Sequence, residues 1–180
     1  MLKQLSTMNI EELASYIYEF LKNKEIEVIL VGGACVSVYS KNAYISGDLD
    51  LITYHEGKKI KQLLSEIGFE YTKSRYFIHK NTEFIVEFVN PPISVGNEPV
   101  HNFATIKTSI GEIKLLTPTD TVKDRLSAYY HWNDDQSLEQ ALLVIKEVPV
   151  DIKNIEEWSG REGFSEKYQI FYKKYLKGIN

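Results

Sequence analysis

Apolar residues follow two different periods in the first two thirds of this chain. Some stretches repeat every three or four positions, the period of an amphipathic helix, and others are short runs rich in aliphatic and β-branched residues, which are typical of strands. A domain that contains both helices and strands is therefore predicted. The helical stretches are Asn9–Asn23 and Lys58–Ile67, and the strand runs are Glu25–Val31, Asp48–Tyr54, Arg75–His79 and Glu83–Val89, with a hairpin over Thr105–Leu116.

The pattern changes near residue 116, after which only the helical period remains. Thr117-Pro118-Thr119-Asp120 is a strong helix start, with Thr117 as the N-cap, Pro118 as the first helical residue and Asp120 reaching back. We therefore expect a core over 1–116 and a C-terminal helical region over 117–180 that packs on it. Its helices are predicted over Pro118–His131, from Asp134 or Asp135 onward, and over Ile152–Ser159 and Ser165–Lys177.

A glycine pair ends the first strand run. Gly32 and Gly33 follow a run of aliphatic residues, and the segment Ala34–Ser40 after them predicts a short helix. Glycines allow a phosphate to approach the backbone closely, and the start of a helix offers N–H groups that hold it. Gly32 and Gly33, with Ser37 and Ser46 nearby, are therefore candidate nucleotide-binding residues.

Two carboxylates stand at the start of the next strand. Side chains alternate faces along a strand, so Asp48 and Asp50 point the same way while Leu49 and Leu51 point to the core. A divalent cation removes the repulsion between such carboxylates, and Mg²⁺ prefers oxygen ligands and substrate phosphates. The strand, glycine turn, helix and carboxylate pair together predict a site for a metal ion and a nucleoside triphosphate.

A third acid stands out in a later strand. Glu87 lies within Phe-Ile-Val-Glu-Phe-Val, and burying a charge is costly unless it is paired or bound to metal. We therefore take Glu87 as a candidate third metal ligand, and an edge-strand residue facing solvent as its alternative. The segment that follows, Asn90–Phe103, contains three prolines and Gly96 and predicts a long loop that lines the site.

These motifs resemble the signature of the nucleotidyltransferase superfamily, the proteins with a DNA polymerase β-like fold. Ser46-Gly47-Asp48-Leu49-Asp50-Leu51 resembles in particular the form found in bacterial abortive-infection toxins of the AbiEii type. The resemblance covers residues 25 to 146. It implies an α/β (α+β) nucleotidyltransferase fold, in which a mixed central sheet is flanked by helices and followed by a C-terminal helical extension.

The resemblance also implies an activity. Two Mg²⁺ ions held by Asp48, Asp50 and Glu87 would serve the transfer of a nucleoside monophosphate from ATP or another NTP to a hydroxyl of an RNA such as tRNA, a protein or a small molecule. Lys123 would act in catalysis and in nucleotide binding, and Asp135 in nucleotide binding. For Lys123 the alternative is a solvated helix-flank charge, and for Asp135 or Asp134 it is helix capping alone. A toxin–antitoxin or phage-defence role with a neighbouring antitoxin partner is also implied.

Charge and cysteine content narrow these expectations. The formal net charge is −4, so the chain has no overall basic character, and a nucleic-acid acceptor would require a local basic patch. Cys35 is the only cysteine, and no signal peptide or membrane-length apolar run appears, which favours a reducing cytoplasm and no membrane partner. The alternative to an enzyme is a non-catalytic nucleotide-binding regulatory module with the same fold.

Overall fold

The computed structural model describes residues 4–179. A short 3₁₀ helix over Leu5–Thr7 precedes the first α-helix. The α-helices are α1 (Ile10–Lys22), α2 (Gly32–Tyr39), α3 (Gly57–Glu66), α4 (Pro118–Trp132), α5 (Asp135–Glu147), α6 (Ile152–Arg161) and α7 (Ser165–Ile179). The strands are β1 (Ile29–Val31), β2 (Asp48–Ile52), β3 (Glu70–Tyr71), β4 (Tyr76–Ile78), β5 (Ile85–Val89), β6 (Ser94–Val95), β7 (Glu98–Pro99), β8 (Phe103–Lys107) and β9 (Glu112–Leu116).

Seven of these strands form one mixed sheet in the order β3-β4-β5-β2-β1-β9-β8. β2 is antiparallel to β1 and parallel to β5, and β1 is parallel to β9. β6 and β7 form a separate two-stranded ladder. The α/β class with a mixed sheet flanked by helices is confirmed.

The core forms because the inward-facing residues of the strands are aliphatic. On β2, Leu49 and Leu51 are buried, whereas Asp48 is exposed and Asp50 is half-buried, as the alternation along a strand predicts. Helix α1 packs on β9 and α2 packs on β2. Asn9 and Glu12 close a capping box at the start of α1, with the Asn9 side chain accepting from the Glu12 amide at 2.9 Å.

The C-terminal helices pack on the core through α2, which contacts both α4 and α5. Helix α4 begins as the sequence predicts. Thr117 is its N-cap and accepts from the Asp120 amide at 3.1 Å, and the Asp120 carboxylate accepts from the Thr117 hydroxyl at 2.6 Å. This cap fixes where α4 leaves β9, and so fixes which side chains of α4 face the sheet.

Three local predictions differ from the structure. The predicted strand Glu25–Val31 pairs only from Ile29 onward, because Glu25 is in the left-handed region with φ of 60° at the turn after α1. The predicted loop Asn90–Phe103 contains the β6–β7 hairpin, which turns at Gly96 with φ of 59°. The two-residue strand β3 has no counterpart in the sequence prediction, because two residues are too few to show a period.

No helix within residues 4–179 is long and apolar enough to span a bilayer.

Candidate active site

The acidic residues converge because of strand register. Asp50 of β2 pairs with Val31 of β1 on one side and with Glu87 of β5 on the other. Partners in adjacent strands project their side chains to the same face, so Asp50 and Glu87 share a face, and Asp48 shares it by alternation. The structure therefore brings together the three acids that the sequence singles out.

Glu87 belongs to an interior strand. β5 lies between β4 and β2, and Glu87 pairs with Tyr76 as well as with Asp50. The alternative of an edge-strand residue is therefore wrong, although the Glu87 side chain is exposed to solvent. An exposed carboxylate beside two others is accessible to an ion or a substrate.

Asp50 is the most perturbed of the three acids. Burial, with the negative charges of Asp48 and Glu87 as smaller causes, raises its pKa to about 6, while Arg125 opposes the shift. A carboxyl group that is costly to ionise beside two other acids is stabilised by a bound cation. The electrostatic environment of Asp50 thus favours a positively charged ligand on this face.

The glycine turn lies directly against Asp50. Gly32 has φ of +68°, and a Cβ added there would lie 2.3 Å from Asp50 Oδ2. Only glycine suits this position, because any side chain would meet the carboxylate and strain the backbone. Gly32 and Gly33 begin α2, and Val31 before them provides no side-chain cap, so the first amides of α2 are left to bind an anionic group.

Ser37 and Ser46 form a buried support for Asp48. Ser37 Oγ accepts from the Ser46 amide at 2.9 Å, and Ser46 Oγ donates to Asp48 Oδ1 at 2.9 Å. Both serines are almost fully buried, at 0% and 2% exposure. Their hydroxyls connect α2 to the Asp48 carboxylate and orient it, and direct contact of either serine with phosphate stays a prediction.

Arg125 of α4 is a cation whose charge acts on Asp50. Its charge lowers the pKa of Asp50, and its guanidinium donates to Asp124 Oδ2 at 3.0 Å through Nε and to Gln140 Oε1 at 3.4 Å. Gln140, on α5, is buried, so it helps to hold the guanidinium in place. Sequence reasoning did not select Arg125 as a site residue.

Lys123 occupies another part of the molecule. Its side chain is 2% exposed, and Nζ donates to Glu98 Oε1 at 2.7 Å. Asp120 Oδ1 lies 3.8 Å away. Residues two apart on a helix are separated by about 200°, so Lys123 and Arg125 face different sides of α4. Lys123 thus forms an ion pair between α4 and the β6–β7 hairpin, so the alternative of a solvated helix-flank charge is wrong. Its expected role in neutralising the nucleotide stays a prediction.

The two aspartates after α4 do not join the acids. Asp134 is the N-cap of α5 and accepts from the Gln136 amide at 3.0 Å, which is the capping alternative. Asp135 is the first residue of α5 and is exposed, and its expected contact with a nucleotide stays a prediction.

The arrangement of the three acids suits a metal ion whose coordination shell is completed by substrate. No three His, Cys, Asp or Glu side chains within residues 4–179 surround a common ion position, so the expected three-carboxylate cage is not formed in this arrangement. Asp48 is held by Ser46, and Asp50 lies against Gly32. Mg²⁺ is commonly bound by one or two carboxylates, with water and substrate phosphates supplying the rest. The oxygen donors present fit that ion.

The chain has the fold of nucleotidyltransferase-like proteins. An antigenic nucleotidyltransferase-like protein from Paracoccidioides brasiliensis has a similar structure, with a TM-score of 0.62 and 15% sequence identity. The alignment covers 77% of this chain and 76% of that protein. The antibiotic-resistance factor ANT(2'')-Ia, in a solution structure described as revealing substrate-regulated conformation dynamics, matches 89% of this chain over 94% of its own, with a TM-score of 0.50 and 11% identity. At such identities the likeness shows the fold alone.

No protein-family model and no curated protein matches the sequence. The superfamily resemblance is thus supported at the level of fold, and the AbiEii-type relationship stays a prediction.

One signal in the sequence could have pointed to Arg125. Arg125 lies on the opposite side of the buried stripe Val122, Leu126 and Tyr129 from Lys123, so the two cations of α4 point in different directions. Helical rotation fixes the angle between the two cations but does not fix which one meets the acids. That choice depends on how the Thr117 cap orients α4.

Proposed function

We propose that the protein is a Mg²⁺-dependent nucleotidyltransferase that moves a nucleoside monophosphate from an NTP to an acceptor hydroxyl. The observation that supports this most directly is the register that pairs Asp50 with Glu87 on the face that also carries Asp48, against a glycine turn that opens a helix. The nucleotidyltransferase-like fold is consistent with the proposal.

Each residue has a defined part in this reaction. Asp48 and Asp50 hold Mg²⁺, with Glu87 beside them, and the amides of Gly32 and Gly33 approach the triphosphate. Mg²⁺, when bound, neutralises phosphate charge and makes the acceptor hydroxyl easier to deprotonate. Arg125 offsets negative charge beside Asp50.

The chemical step is a displacement at the α-phosphorus. The acceptor hydroxyl loses its proton to solvent, and its oxygen forms a bond to the α-phosphorus. The bond between that phosphorus and the bridging oxygen breaks, and pyrophosphate leaves with the electron pair. The chain itself forms no covalent bond in this scheme, so its contribution is positioning and charge.

The proposal includes an acceptor and a biological setting. The acceptor hydroxyl belongs to an RNA such as tRNA, a protein or a small molecule. ANT(2'')-Ia is an antibiotic-resistance factor, so a small-molecule acceptor belongs in the test. The AbiEii-type resemblance adds a toxin or phage-defence role with an antitoxin partner.

Labelling tests the proposal. The protein is incubated with Mg²⁺ and each α-³²P-labelled NTP, together with cellular RNA, cellular protein or a set of aminoglycosides. We expect label in one acceptor class with the wild type and none with the Asp48→Asn/Asp50→Asn variant. Calorimetry with Mg²⁺ and each NTP is run in parallel. Nucleotide binding without labelled product in any arm would favour the non-catalytic module, and the absence of both would reject the proposal.

A further inference from the structure

A cavity of about 280 Å³ lies at the C-terminal end of β2 and β5. It is lined by residues that follow β2, by the start of α3, by the β3–β4 hairpin and by the end of β5. Its chemistry is set by four aromatic rings and two permanent cations: Tyr54, Tyr71, Phe77, Phe88, Lys61 and Arg75. Among the described residues that line it there is no Asp or Glu.

Tyr54 provides an open aromatic face in this cavity. Its side chain is 72% exposed, whereas Tyr71 is 41% exposed and has Lys61 Nζ 3.7 Å from its ring centre. Tyr54 also lines a second cavity, of about 270 Å³. A large exposed ring between two cavities is suited to stacking against a flat ligand, because it gains contact without displacing packed neighbours.

The cations around the cavity are not neutralised. Residues 56–80 contain six Lys and Arg but three Glu, in a chain whose net charge is −4. None of the six forms an ion pair with a carboxylate in the described part of the chain, whereas Lys114, Lys123 and Lys174 elsewhere are each paired with a glutamate. Unpaired cations beside an open aromatic ring are the chemistry that binds a base and its phosphate.

We propose that this cavity binds an unpaired nucleotide of a single-stranded nucleic acid, with the base on Tyr54 and phosphates on Lys61 and Arg75. Lys58 and Lys59 follow the lining residue Gly57 on the first turn of α3, and Lys73 lies two residues before the lining residue Arg75. These three lysines extend the basic surface beyond one nucleotide, which favours a strand over a free mononucleotide. This surface is the local basic patch that a nucleic-acid ligand requires in a chain whose net charge is −4.

The cavity is close to the acids along the same strands. Glu87 and Val89 are two residues apart, about 7 Å, and Asp50 and Thr53 are three apart, about 10 Å; Val89 and Thr53 both line the cavity. Alternation places Thr53 and Phe88 on the sheet face opposite Asp50 and Glu87, so a strand that also reaches the acids passes around the end of β2 and β5. Its role as the acceptor rests on the proposed transferase function, but its binding does not.

The test is fluorescence anisotropy with a labelled single-stranded RNA 12-mer, without NTP or Mg²⁺. We expect Tyr54→Leu to weaken binding about tenfold, the scale of one lost base–aromatic stack. We expect Lys61→Gln/Arg75→Gln to weaken binding and to reduce the slope of log K against log salt by about 1.4, the value for two phosphate contacts on a single strand.

Matched controls separate the cavity from the rest of the surface. Trp132→Leu removes a ring that is 81% exposed on α4, and Lys153→Gln removes a lysine that is 85% exposed on α6; neither residue lines the cavity. Both variants should bind as the wild type does. Circular dichroism confirms that each variant is folded.

Several results would overturn the inference. The first is failure of the wild type to bind the RNA, and the second is an equal loss of RNA affinity in Trp132→Leu and Tyr54→Leu. The third is equal affinity for a duplex of the same sequence. The fourth is displacement of the labelled RNA by polyglutamate or AMP as effectively as by unlabelled RNA. The Asp48→Asn/Asp50→Asn variant should bind RNA normally. RNA binding with no transfer to any acceptor would refute the proposed function and leave this inference intact.

Discussion

The two ends of the parallel pair β2 and β5 have opposite chemistry. At one end Asp48, Asp50 and Glu87 share a face of the sheet, and burial together with repulsion from the other two acids raises the pKa of Asp50 to about 6. At the other end aromatic rings surround Lys61 and Arg75, with no carboxylate among the described lining residues. One pair of strands therefore presents a site for cations and a site for anions about 10 Å apart.

This contrast shows that net charge is a poor guide to ligands here. The chain is acidic overall, yet the unpaired cations are concentrated between residues 56 and 80. In the C-terminal helices five of the nine cations form ion pairs with carboxylates, such as Lys123 with Glu98 and Lys174 with Glu139. Whether a cation is paired decides whether it is available to a ligand.

The largest effect expected at the acidic end comes from Gly32→Ala. The new Cβ would lie 2.3 Å from Asp50 Oδ2, and the position has φ of +68°. We expect transfer to fall about a hundredfold, since a misplacement of about 1 Å has that scale, and stability to fall by about 1–2 kcal/mol. Transfer rate and urea unfolding measure the two effects. RNA binding at the other end should not change.

Gly47→Ala is the matched control for this substitution. Gly47 immediately precedes Asp48, but a Cβ there would meet nothing within 4 Å. Transfer should stay within about twofold of the wild type, as for a surface change that breaks no contact. Equal losses in the two variants would show that the contact between Gly32 and Asp50 does not matter.

A smaller effect is expected from Arg125→Gln. Arg125 lowers the pKa of Asp50, so its removal should shift the rise of activity with pH upward and reduce transfer about tenfold at pH 7. The pH profile of labelled product measures both changes.

Lys123→Gln distinguishes the two cations of α4. Because Lys123 is buried against Glu98, this variant should lose about 2 kcal/mol of stability while transfer per folded molecule is retained. A greater loss of transfer from Lys123→Gln than from Arg125→Gln would restore the sequence-based choice of Lys123.

The perturbed pKa of Asp50 should also appear in the stability of the protein without metal. The folded pKa of about 6 lies above the ordinary value of 3.8, so the folded state binds a proton more tightly than the unfolded chain. Stability should therefore fall as pH rises from about 4 to 6 and show no further change from this group above 6. Asp50→Asn should remove that dependence, leaving the variant about 1–2 kcal/mol more stable than the wild type at pH 8.

Urea unfolding in EDTA between pH 3 and 8 measures this difference. The two proteins should converge as the pH falls below 3.8, because the carboxyl is then protonated in both the folded and the unfolded wild type. A difference that is constant with pH, or a variant that is less stable at pH 8, would contradict the assigned repulsion.

The smallest effect is expected at the basic end. Lys61→Gln removes a cation that contacts the Tyr71 ring at the surface, so stability should change by no more than about 1 kcal/mol. Thermal unfolding measures it, with Lys153→Gln as the exposed control. A loss as large as that of Lys123→Gln would mean that Lys61 serves the fold rather than a ligand.

Several features follow from local sequence. The cap at Thr117 and the alternation that buries Leu49 and Leu51 are as predicted, and β4 and β5 lie within the predicted runs Arg75–His79 and Glu83–Val89. They are predictable because each depends on residues a few positions apart, whose relative geometry is fixed by helix and strand periods.

Other features required the assembled structure. The periods of the sequence place Asp48 with Asp50 and separate Lys123 from Arg125, but a period gives only relative direction along one element. The pairing of Asp50 with Glu87, the selection of Arg125, the burial of Ser37 and Ser46 and the cavity beside Tyr54 depend on contacts between elements remote in the chain. The sequence by itself determined the elements and the chemistry that they carry, and tertiary packing decided which charges meet, because that depends on register and on helix orientation.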